Sequence, residues 1–294
     1  MKVTEHLAKA KNPFFSVEIV PLARGAKFQR LYRAIENVMP YDPPFIDVTS
    51  HSAETVWIKN EDGTFNRTVK RKSPGTFGIC AAIKYKFGVD PVPHILCSGF
   101  TREETEDALI ELNYLGVDNV LAIRGDGTEK KFIPDGRSVN TTALDLVRQV
   151  VDMNKGHYLD EIEEPQPSDF CVGVTAYPEK HFQAPNLPFD INVLLEKQKA
   201  GAEYAVTQMF FDNQKFYDFK KQARAAGVKI PIIPGLKILA TKNHLNVIPS
   251  ICHTDFPKEL SDRLVAAKDN KEALKVGIDW AEKQALDLLQ NGEP

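Results

Sequence analysis

The chain has 294 residues, of which 43% are hydrophobic and 26% charged, and its formal net charge at pH 7 is −3. A nearly balanced charge gives no support for a nucleic-acid surface, and an ordinary apolar fraction excludes an intrinsically disordered chain. No segment approaches the roughly 20 apolar residues of a membrane helix, and the N-terminus lacks the apolar core of a signal peptide. We therefore expect a cytoplasmic protein that binds neither membranes nor nucleic acids.

Apolar, strand-like runs alternate with segments of helical periodicity along the chain. The seven runs are, in order, 14–20, 45–49, 92–97, 119–125, 171–178, 203–210 and 231–239. Helical spacing predicts helices at 28–39, 76–87, 101–116, 191–200, 214–226, 244–251, 258–267 and 271–289, and the polar segment 51–74 predicts a long loop with a turn at 60–63. This alternation favours one parallel barrel of strands and helices over two ordinary domains.

The end of the chain does not complete that pattern. A closed barrel of this type has eight strands, but after the seventh run only helical segments follow. The sequence therefore predicts an α/β protein, a (β/α)8 TIM barrel formed by one domain over 1–294, with the eighth strand missing from this sequence. Either the sequence stops short of the natural terminus, or the barrel closes in another way, for example through a neighbouring chain of a homo-oligomer.

Polar residues stand at or near the ends of most of these runs. In a parallel barrel every strand delivers its C-terminal end to the same face, so residues distant in sequence converge on one pocket. We expect such a pocket to contain Glu18, Thr49, His94, Asp126, Tyr177, His181 and Gln208. This convergence is the main sequence argument for a catalytic face.

Glu18 is the strongest candidate for chemistry. Alternation in the first run places it on one face with Phe14, Ser16 and Val20, which we assign to the barrel interior. Burial disfavours the ionised carboxylate and raises its pKa, which suits a general acid near neutral pH. The structural alternative is a salt bridge inside the barrel.

The other candidates have structural alternatives that the sequence leaves open. Asp126 follows Gly125, which permits a sharp exit from the strand, but the same residues are also common in turns. His94 could be a hydrogen-bonded core histidine, and His181 could be an ordinary loop residue. Gln208 offers the donor and acceptor needed to recognise a heterocyclic amide edge, or it fills a layer of the barrel.

The sequence gives no support for several enzyme classes. The chain has no GxGxxG, P-loop, HExxH or GxSxG motif and no cluster of metal ligands, so we predict no metal site. Another barrel enzyme, such as an aldolase or lyase, stays open as an alternative, although it would usually need a strand-end lysine and Lys237 is the only one near the right end.

Taken together, the runs resemble those of methylenetetrahydrofolate reductases of the single-domain bacterial type, which are flavin-containing barrels. The resemblance covers most of the chain and rests on seven motifs in order. They are Ser-Val-Glu-Ile-Val-Pro at 16–21, Phe-Ile-Asp-Val-Thr at 45–49, Pro-His-Ile-Leu-Cys at 93–97, Leu-Ala-Ile-Arg-Gly-Asp at 121–126, Ala-Tyr-Pro-Glu-Lys-His at 176–181, the segment 197–212 with Thr-Gln-Met-Phe-Phe-Asp, and Ile-Pro-Gly-Leu at 233–236.

The resemblance implies non-covalent FAD at the strand ends and NADH or NADPH as electron donor. Positions that match flavin contacts of the family are Thr49, His94, Arg124, Gly125, Asp126, Ala176, Tyr177, His181, Asp190 and Lys197. The implied reaction reduces 5,10-methylenetetrahydrofolate to 5-methyltetrahydrofolate, a step of one-carbon metabolism and methionine biosynthesis. Glu18 would protonate the substrate, Asp126 would stabilise its cationic form, and Gln208 would bind the pterin. The third alternative is a barrel that binds flavin or a partner protein but has lost turnover.

Overall fold

The computed structural model describes residues 1–71, 73–125, 133 and 136–291. The chain divides into two units, Met1–Val174 and Thr175–Pro294, and each is described by itself. The organisation as one domain over 1–294 stays a prediction.

The first unit is built around parallel strands. Its elements in chain order are α1 (Val3–Lys9), β1 (Val17–Ile19), α2 (Gln29–Val38), β2 (Phe45–Val48), β3 (Glu54–Lys59), β4 (Phe65–Lys70), α3 (Thr76–Ala82), β5 (Asp90–Leu96), α4 (Arg102–Tyr114), β6 (Asn119–Ile123), α5 (Ala143–Met153) and β7 (Cys171–Ala176), whose last two residues belong to the second unit. Strands β1, β2, β5, β6 and β7 pair in that order, and all are parallel. Their C-terminal ends therefore lie on one side, as expected for a (β/α) fold.

The second unit continues the alternation of helices and strands. Its further elements are α6 (Leu187–Lys199), β8 (Tyr204–Thr207), α7 (Asn213–Ala225), β9 (Ile232–Ile233), α8 (His244–Cys252), α9 (Lys258–Ala266) and α10 (Asn270–Gln290). Strands β8 and β9 are parallel. A core that includes Phe211, Leu239, Leu260 and Leu264 buries the apolar faces of the last helices. Burial of this kind is the main stabilising term for such helices.

The predicted architecture is confirmed: all seven strands are present, and the fold is α/β of the TIM-barrel type. The observed strands are shorter than the predicted runs because the polar ends of the runs leave the sheet. Over 234–291 the structure contains three helices and no strand, so an eighth strand is also missing from the described part of the chain. Helices α1 and α5 have no counterpart among the predicted helices.

The prediction of a loop over 51–74 is wrong for most of that segment. Strands β3 and β4 form an antiparallel hairpin, with Glu54 opposite Lys70 and Lys59 opposite Phe65. The turn predicted at 60–63 is present, since the Gly63 N–H donates to the Asn60 carbonyl at 3.1 Å. Most of the hairpin side chains are exposed, so the sequence lacks the buried alternation that normally identifies a strand.

The capping box predicted at the start of α4 is confirmed. The Glu104 N–H donates to Thr101 Oγ1 at 3.1 Å, and the Thr101 N–H donates to Glu104 Oε2 at 2.9 Å. Two N–H groups that the helix itself leaves unpaired are thereby satisfied. The box fixes the start of α4, and residues 97–101 connect it to the C-terminal end of β5.

Candidate functional site

Three ionisable side chains from three adjacent strands meet in the first unit. Glu18 of β1 is the register partner of Asp47 of β2, and Asp47 is the partner of Val92 of β5. His94 lies two residues beyond Val92 and therefore on the same face of the sheet. His94 Nε2 is 3.8 Å from Glu18 Oε2 and 3.7 Å from Asp47 Oδ1. The parallel register thus gathers two carboxylates around one imidazole.

The three side chains differ strongly in exposure. The side chains of His94 and Asp47 are 6% and 10% exposed, whereas that of Glu18 is 58% exposed. The prediction that Glu18 is buried in the interior is therefore wrong. Strand β1 is an edge strand of the first unit's sheet and is only three residues long, so fewer neighbours cover it.

Thr49 stands directly after β2, where its backbone is fixed on both sides. Its N–H donates to the Ile19 carbonyl at 3.0 Å, and its carbonyl accepts from Thr76 Oγ1 at 3.0 Å. The Thr49 hydroxyl is buried without a hydrogen-bond partner among the described residues. A buried hydroxyl of this kind is costly unless a ligand or water satisfies it.

Gly125 follows β6 with a positive φ of 88°. A Cβ atom there would lie 3.4 Å from a side-chain carbon of Leu96 and 3.7 Å from Ser98 Cβ. Glycine adopts this backbone conformation at no steric cost, as the sequence predicts for a sharp exit from the strand. Arg124 precedes it, and its carbonyl accepts the Ser98 N–H at 3.0 Å. Asp126, the next candidate, lies outside the described residues.

A cavity of about 200 Å³ adjoins His94. Its lining combines aromatic rings with charged groups, and it includes Ser50, Arg71, Phe77, Phe100 and Glu104. The Arg71 guanidinium lies 5.3 Å from the centre of the Phe100 ring, within cation–π range. The cavity therefore extends from the end of β2 toward α4.

The candidates of the second unit include a fixed histidine loop after β7. The His181 N–H donates to Asp190 Oδ2 at 2.8 Å, which joins the loop to the first turn of α6. The Tyr177 and His181 rings meet edge to face, with 4.8 Å between their centres. Two residues that the resemblance assigns to one ligand, His181 and Asp190, are thus adjacent in space although nine positions apart.

Lys197 and Gln208 lie beside the end of β7. The side chain of Lys197 is buried, and its Nζ donates to the Thr175 carbonyl at 3.2 Å. The Gln208 N–H donates to the Ala176 carbonyl at 2.8 Å, and its Oε1 accepts the Met209 N–H at 2.9 Å. By contrast, Lys237 is exposed and lies beyond the end of β9. An exposed lysine lacks the desolvation that activates a Schiff-base amine, which weakens the aldolase alternative.

Glu179 and Asp255 form a second carboxylate pair in the second unit. Glu179 Oε2 accepts the Asp255 N–H at 3.0 Å, and Lys215 Nζ lies 3.9 Å from Asp255 Oδ2. Burial raises the pKa of Glu179 to about 7, and the charge of Asp255 acts in the same direction. The folded protein therefore holds this proton more tightly than the unfolded chain does.

Replacement of Glu179 by glutamine is expected to remove a pH-dependent loss of stability. Because the folded-state pKa is about 7 against an ordinary 4.5, the stabilising contribution is complete below pH 4.5 and is lost as the pH rises through about 7. We expect Glu179→Gln to melt at a higher temperature than wild type at pH 8, with the difference shrinking toward pH 5. Melting curves from pH 5 to 8 measure this, with Glu282→Gln as the control on an exposed helix face. Parallel curves for Glu179→Gln and wild type would contradict it.

Two of these ionisable residues were not predicted as site residues. Asp47 occupies a strand whose four residues are all buried, so its charge within an apolar run was an available signal. Glu179 lies between Tyr177 and His181 in sequence, but its neighbour Asp255 is 76 positions away, and no local pattern reveals that contact. Within the described residues, no group of three or more His, Cys, Asp or Glu side chains could hold a metal ion.

Comparisons with known proteins give a consistent result. The family model described as "Methylenetetrahydrofolate reductase" matches residues 2–294. Methylenetetrahydrofolate reductase 1 of Schizosaccharomyces pombe is 29% identical over 280 residues, which cover 95% of this chain and 42% of that protein. The 5,10-methylenetetrahydrofolate reductase of Salmonella typhimurium is 27% identical over 278 residues, which cover 94% of this chain and 82% of that protein.

The extent of these matches differs between relatives. The chain spans 40–44% of the length of its fission yeast, nematode and Arabidopsis relatives. A solved structure of an uncharacterised Clostridium thermocellum protein that binds two copies of 5-methyl-5,6,7,8-tetrahydrofolic acid has a TM-score of 0.58 at 14% identity, and the match covers 99% of this chain and 89% of that one. At this identity the likeness supports the fold alone. None of the described helices is both long and apolar enough to cross a bilayer.

Proposed function

Because the chain belongs to the methylenetetrahydrofolate reductase family, we propose that it reduces 5,10-methylenetetrahydrofolate to 5-methyltetrahydrofolate. The electrons come from NADH or NADPH, and FAD is bound non-covalently. The reaction is a step of one-carbon metabolism and methionine biosynthesis in the cytoplasm. The observation that supports this proposal is the proximity of Glu18, the acid implied by the resemblance, to His94, which also lies beside Asp47.

The described residues at the strand ends fit a flavin. The buried Thr49 hydroxyl has no hydrogen-bond partner in the described part of the chain, and a bound flavin would supply one. Gly125 keeps a side chain away from the end of β6 and so allows close backbone approach. The residues that would hold the cofactor are Thr49, His94, Arg124, Gly125, Asp126, Ala176, Tyr177, His181, Asp190 and Lys197. When bound, FAD supplies the hydride chemistry.

The side chains of the protein perform the acid–base and binding work. Glu18 gives a proton to the bridging nitrogen of the folate, which opens the ring to an iminium ion. Asp126 favours that cation by its negative charge, although its position lies outside the described residues. Gln208 presents a donor and an acceptor to the pterin. Each of these roles is part of the proposal.

Replacement of Gln208 by leucine is expected to weaken folate binding far more than flavin binding. The substitution removes the donor and acceptor while keeping a similar volume, and loss of one such recognition pair costs roughly 1–3 kcal/mol, or about 5- to 150-fold in affinity. Titration of the protein with methyltetrahydrofolate measures the effect. Gln222→Leu on α7 serves as the control, because Gln222 is exposed. Unchanged folate affinity in Gln208→Leu would remove Gln208 from the site.

The proposed function is tested on the purified protein by its visible spectrum. Flavin absorbance should bleach on anaerobic addition of NADH or NADPH and return on addition of methylenetetrahydrofolate. The comparison of the two nucleotides also identifies the preferred donor. A protein that stays colourless and takes up no added FAD would contradict the proposal.

A further inference from the structure

The loop between β7 and α6, residues 177–186, carries two of the proposed flavin positions, Tyr177 and His181. We call this segment the histidine loop. Lys180, which precedes His181, has a φ of 65°, in the left-handed region that residues other than glycine rarely adopt. A residue keeps such a conformation only where surrounding contacts hold it. The shape of the histidine loop therefore depends on the contacts that it makes with other elements.

The histidine loop contacts the connection between α8 and α9, which consists of residues 253–257. Glu179 Oε2 accepts the Asp255 N–H at 3.0 Å. The Phe182 and His253 rings are stacked, with 4.5 Å between their centres. Two contacts, one polar and one aromatic, thus join segments that are more than 70 positions apart in the sequence.

The connection is itself firmly held. Thr254 is only 3% exposed, and its Oγ1 donates to the Met209 carbonyl at 3.1 Å. The Phe256 ring stacks on the buried Phe211 ring, with 4.4 Å between their centres. Met209 and Phe211 both lie shortly after the end of β8. Because a hydrogen bond and an aromatic stack fix it to this segment, the connection can support a neighbouring loop.

This inference rests on the proposed function, since it concerns flavin binding. We propose that Glu179 is a positioning residue, which ties the histidine loop to the connection and so orders the loop before FAD binds. A loop that is already ordered loses little conformational freedom when the ligand arrives, and the affinity is therefore higher. Glu179 acts through the backbone of the loop, and this role requires no contact between its side chain and the flavin.

The charged groups around Glu179 determine the conditions of the test. Lys215 Nζ lies 3.9 Å from Asp255 Oδ2. Burial raises the pKa of Glu179 to about 7, so most of its carboxyl groups are protonated at pH 6. Glutamine is neutral and has nearly the same shape, and its amide oxygen can accept the Asp255 N–H. At pH 6 the variant Glu179→Gln therefore keeps both the charge state and the acceptor of the wild-type side chain.

The test compares Glu179→Ala, which removes the acceptor, with Glu179→Gln, which keeps it, and with Glu282→Ala on an exposed helix face. The FAD affinity of the flavin-free protein is measured by calorimetric titration at pH 6. We expect Glu179→Ala to bind FAD about 2- to 10-fold more weakly than wild type, as the loss of one hydrogen bond implies. Glu179→Gln and Glu282→Ala should match wild type.

A second measurement needs no flavin. Amide hydrogen exchange, followed by mass spectrometry, reports how readily each segment opens. In the histidine loop the His181 and Ala184 N–H groups are hydrogen-bonded, and we expect Glu179→Ala to speed their exchange while α7 is unchanged. Glu179→Gln should exchange as wild type does. If wild type binds no FAD, the proposed function is wrong, and this comparison still decides whether Glu179 orders the loop.

His253→Asn tests the same link from the side of the connection. His253 has a φ of 53°, and asparagine tolerates this left-handed conformation but lacks the ring that stacks on Phe182. We expect faster exchange in the histidine loop and weaker FAD binding in this variant. The link between the two segments can therefore be tested even if Glu179→Ala does not fold.

Four results would overturn the inference. The first is a histidine loop that exchanges in Glu179→Ala as it does in wild type. The second is faster exchange throughout the second unit, which would indicate a general structural role. The third is an unchanged FAD affinity in Glu179→Ala when wild type binds FAD. The fourth is a loss of affinity in Glu179→Gln as large as that in Glu179→Ala, since glutamine keeps the acceptor.

Discussion

Replacement of Glu18 by glutamine should abolish folate reduction while the protein still binds FAD and accepts electrons from the nicotinamide donor. Glutamine has nearly the same size as glutamate but carries no proton that it can release. Loss of a general acid typically lowers a rate by about 10²- to 10⁴-fold. Because the Glu18 side chain is 58% exposed, we expect little change in stability.

Stopped-flow absorbance separates the two half-reactions of this variant. The bleaching phase with NADH or NADPH should keep its wild-type rate, and the return of colour with methylenetetrahydrofolate should be lost. Glu36→Gln on α2 is the matched control, since Glu36 is exposed and lies in the same unit. If both phases are lost together in Glu18→Gln, Glu18 has a structural role and the proposed acid must be sought elsewhere.

Replacement of Gly277 by alanine is expected to destabilise the second unit. Gly277 lies in the middle of α10, and a Cβ atom there would collide with the Leu239 carbonyl oxygen and lie 2.8 Å from the Leu239 N and C atoms. The helix cannot easily move away, because Trp280 Nε1 donates to the Phe211 carbonyl at 3.0 Å and Gln284 Nε2 donates to the Phe210 carbonyl at 3.1 Å. Overpacking of this kind costs about 1–3 kcal/mol or more.

Gly78→Ala, in another helix, is expected to change the stability in the opposite direction. Gly78 lies in α3, and a Cβ atom there would meet nothing within 4 Å. An unhindered glycine-to-alanine change in a helix stabilises by up to about 1 kcal/mol. Thermal melts of both variants should therefore move in opposite directions. If Gly277→Ala is as stable as Gly78→Ala, the result would contradict the close packing of α10 on Leu239.

The sequence by itself determined the order of the seven strands of the main sheet and of most helices, and the side of the sheet on which function is expected. Buried strands and amphipathic helices have different apolar periodicities, which are local properties and can be read directly. The capping box of Thr101 and Glu104 and the turn at Gly63 are equally local, and both are present. The order of the motifs also identified the family, because the seven motifs occur along the chain in the same order as the seven strands.

Only the tertiary structure decided the surroundings of the candidate acid and the close packing of the last helix. The 3.7 Å and 3.8 Å separations at His94 depend on the register of three strands from distant parts of the chain. The exposure of Glu18 depends on which elements cover an edge strand, and the contact of Gly277 depends on the backbone of Leu239. Such distances arise from long-range packing, and the periodicity of the local sequence does not predict them.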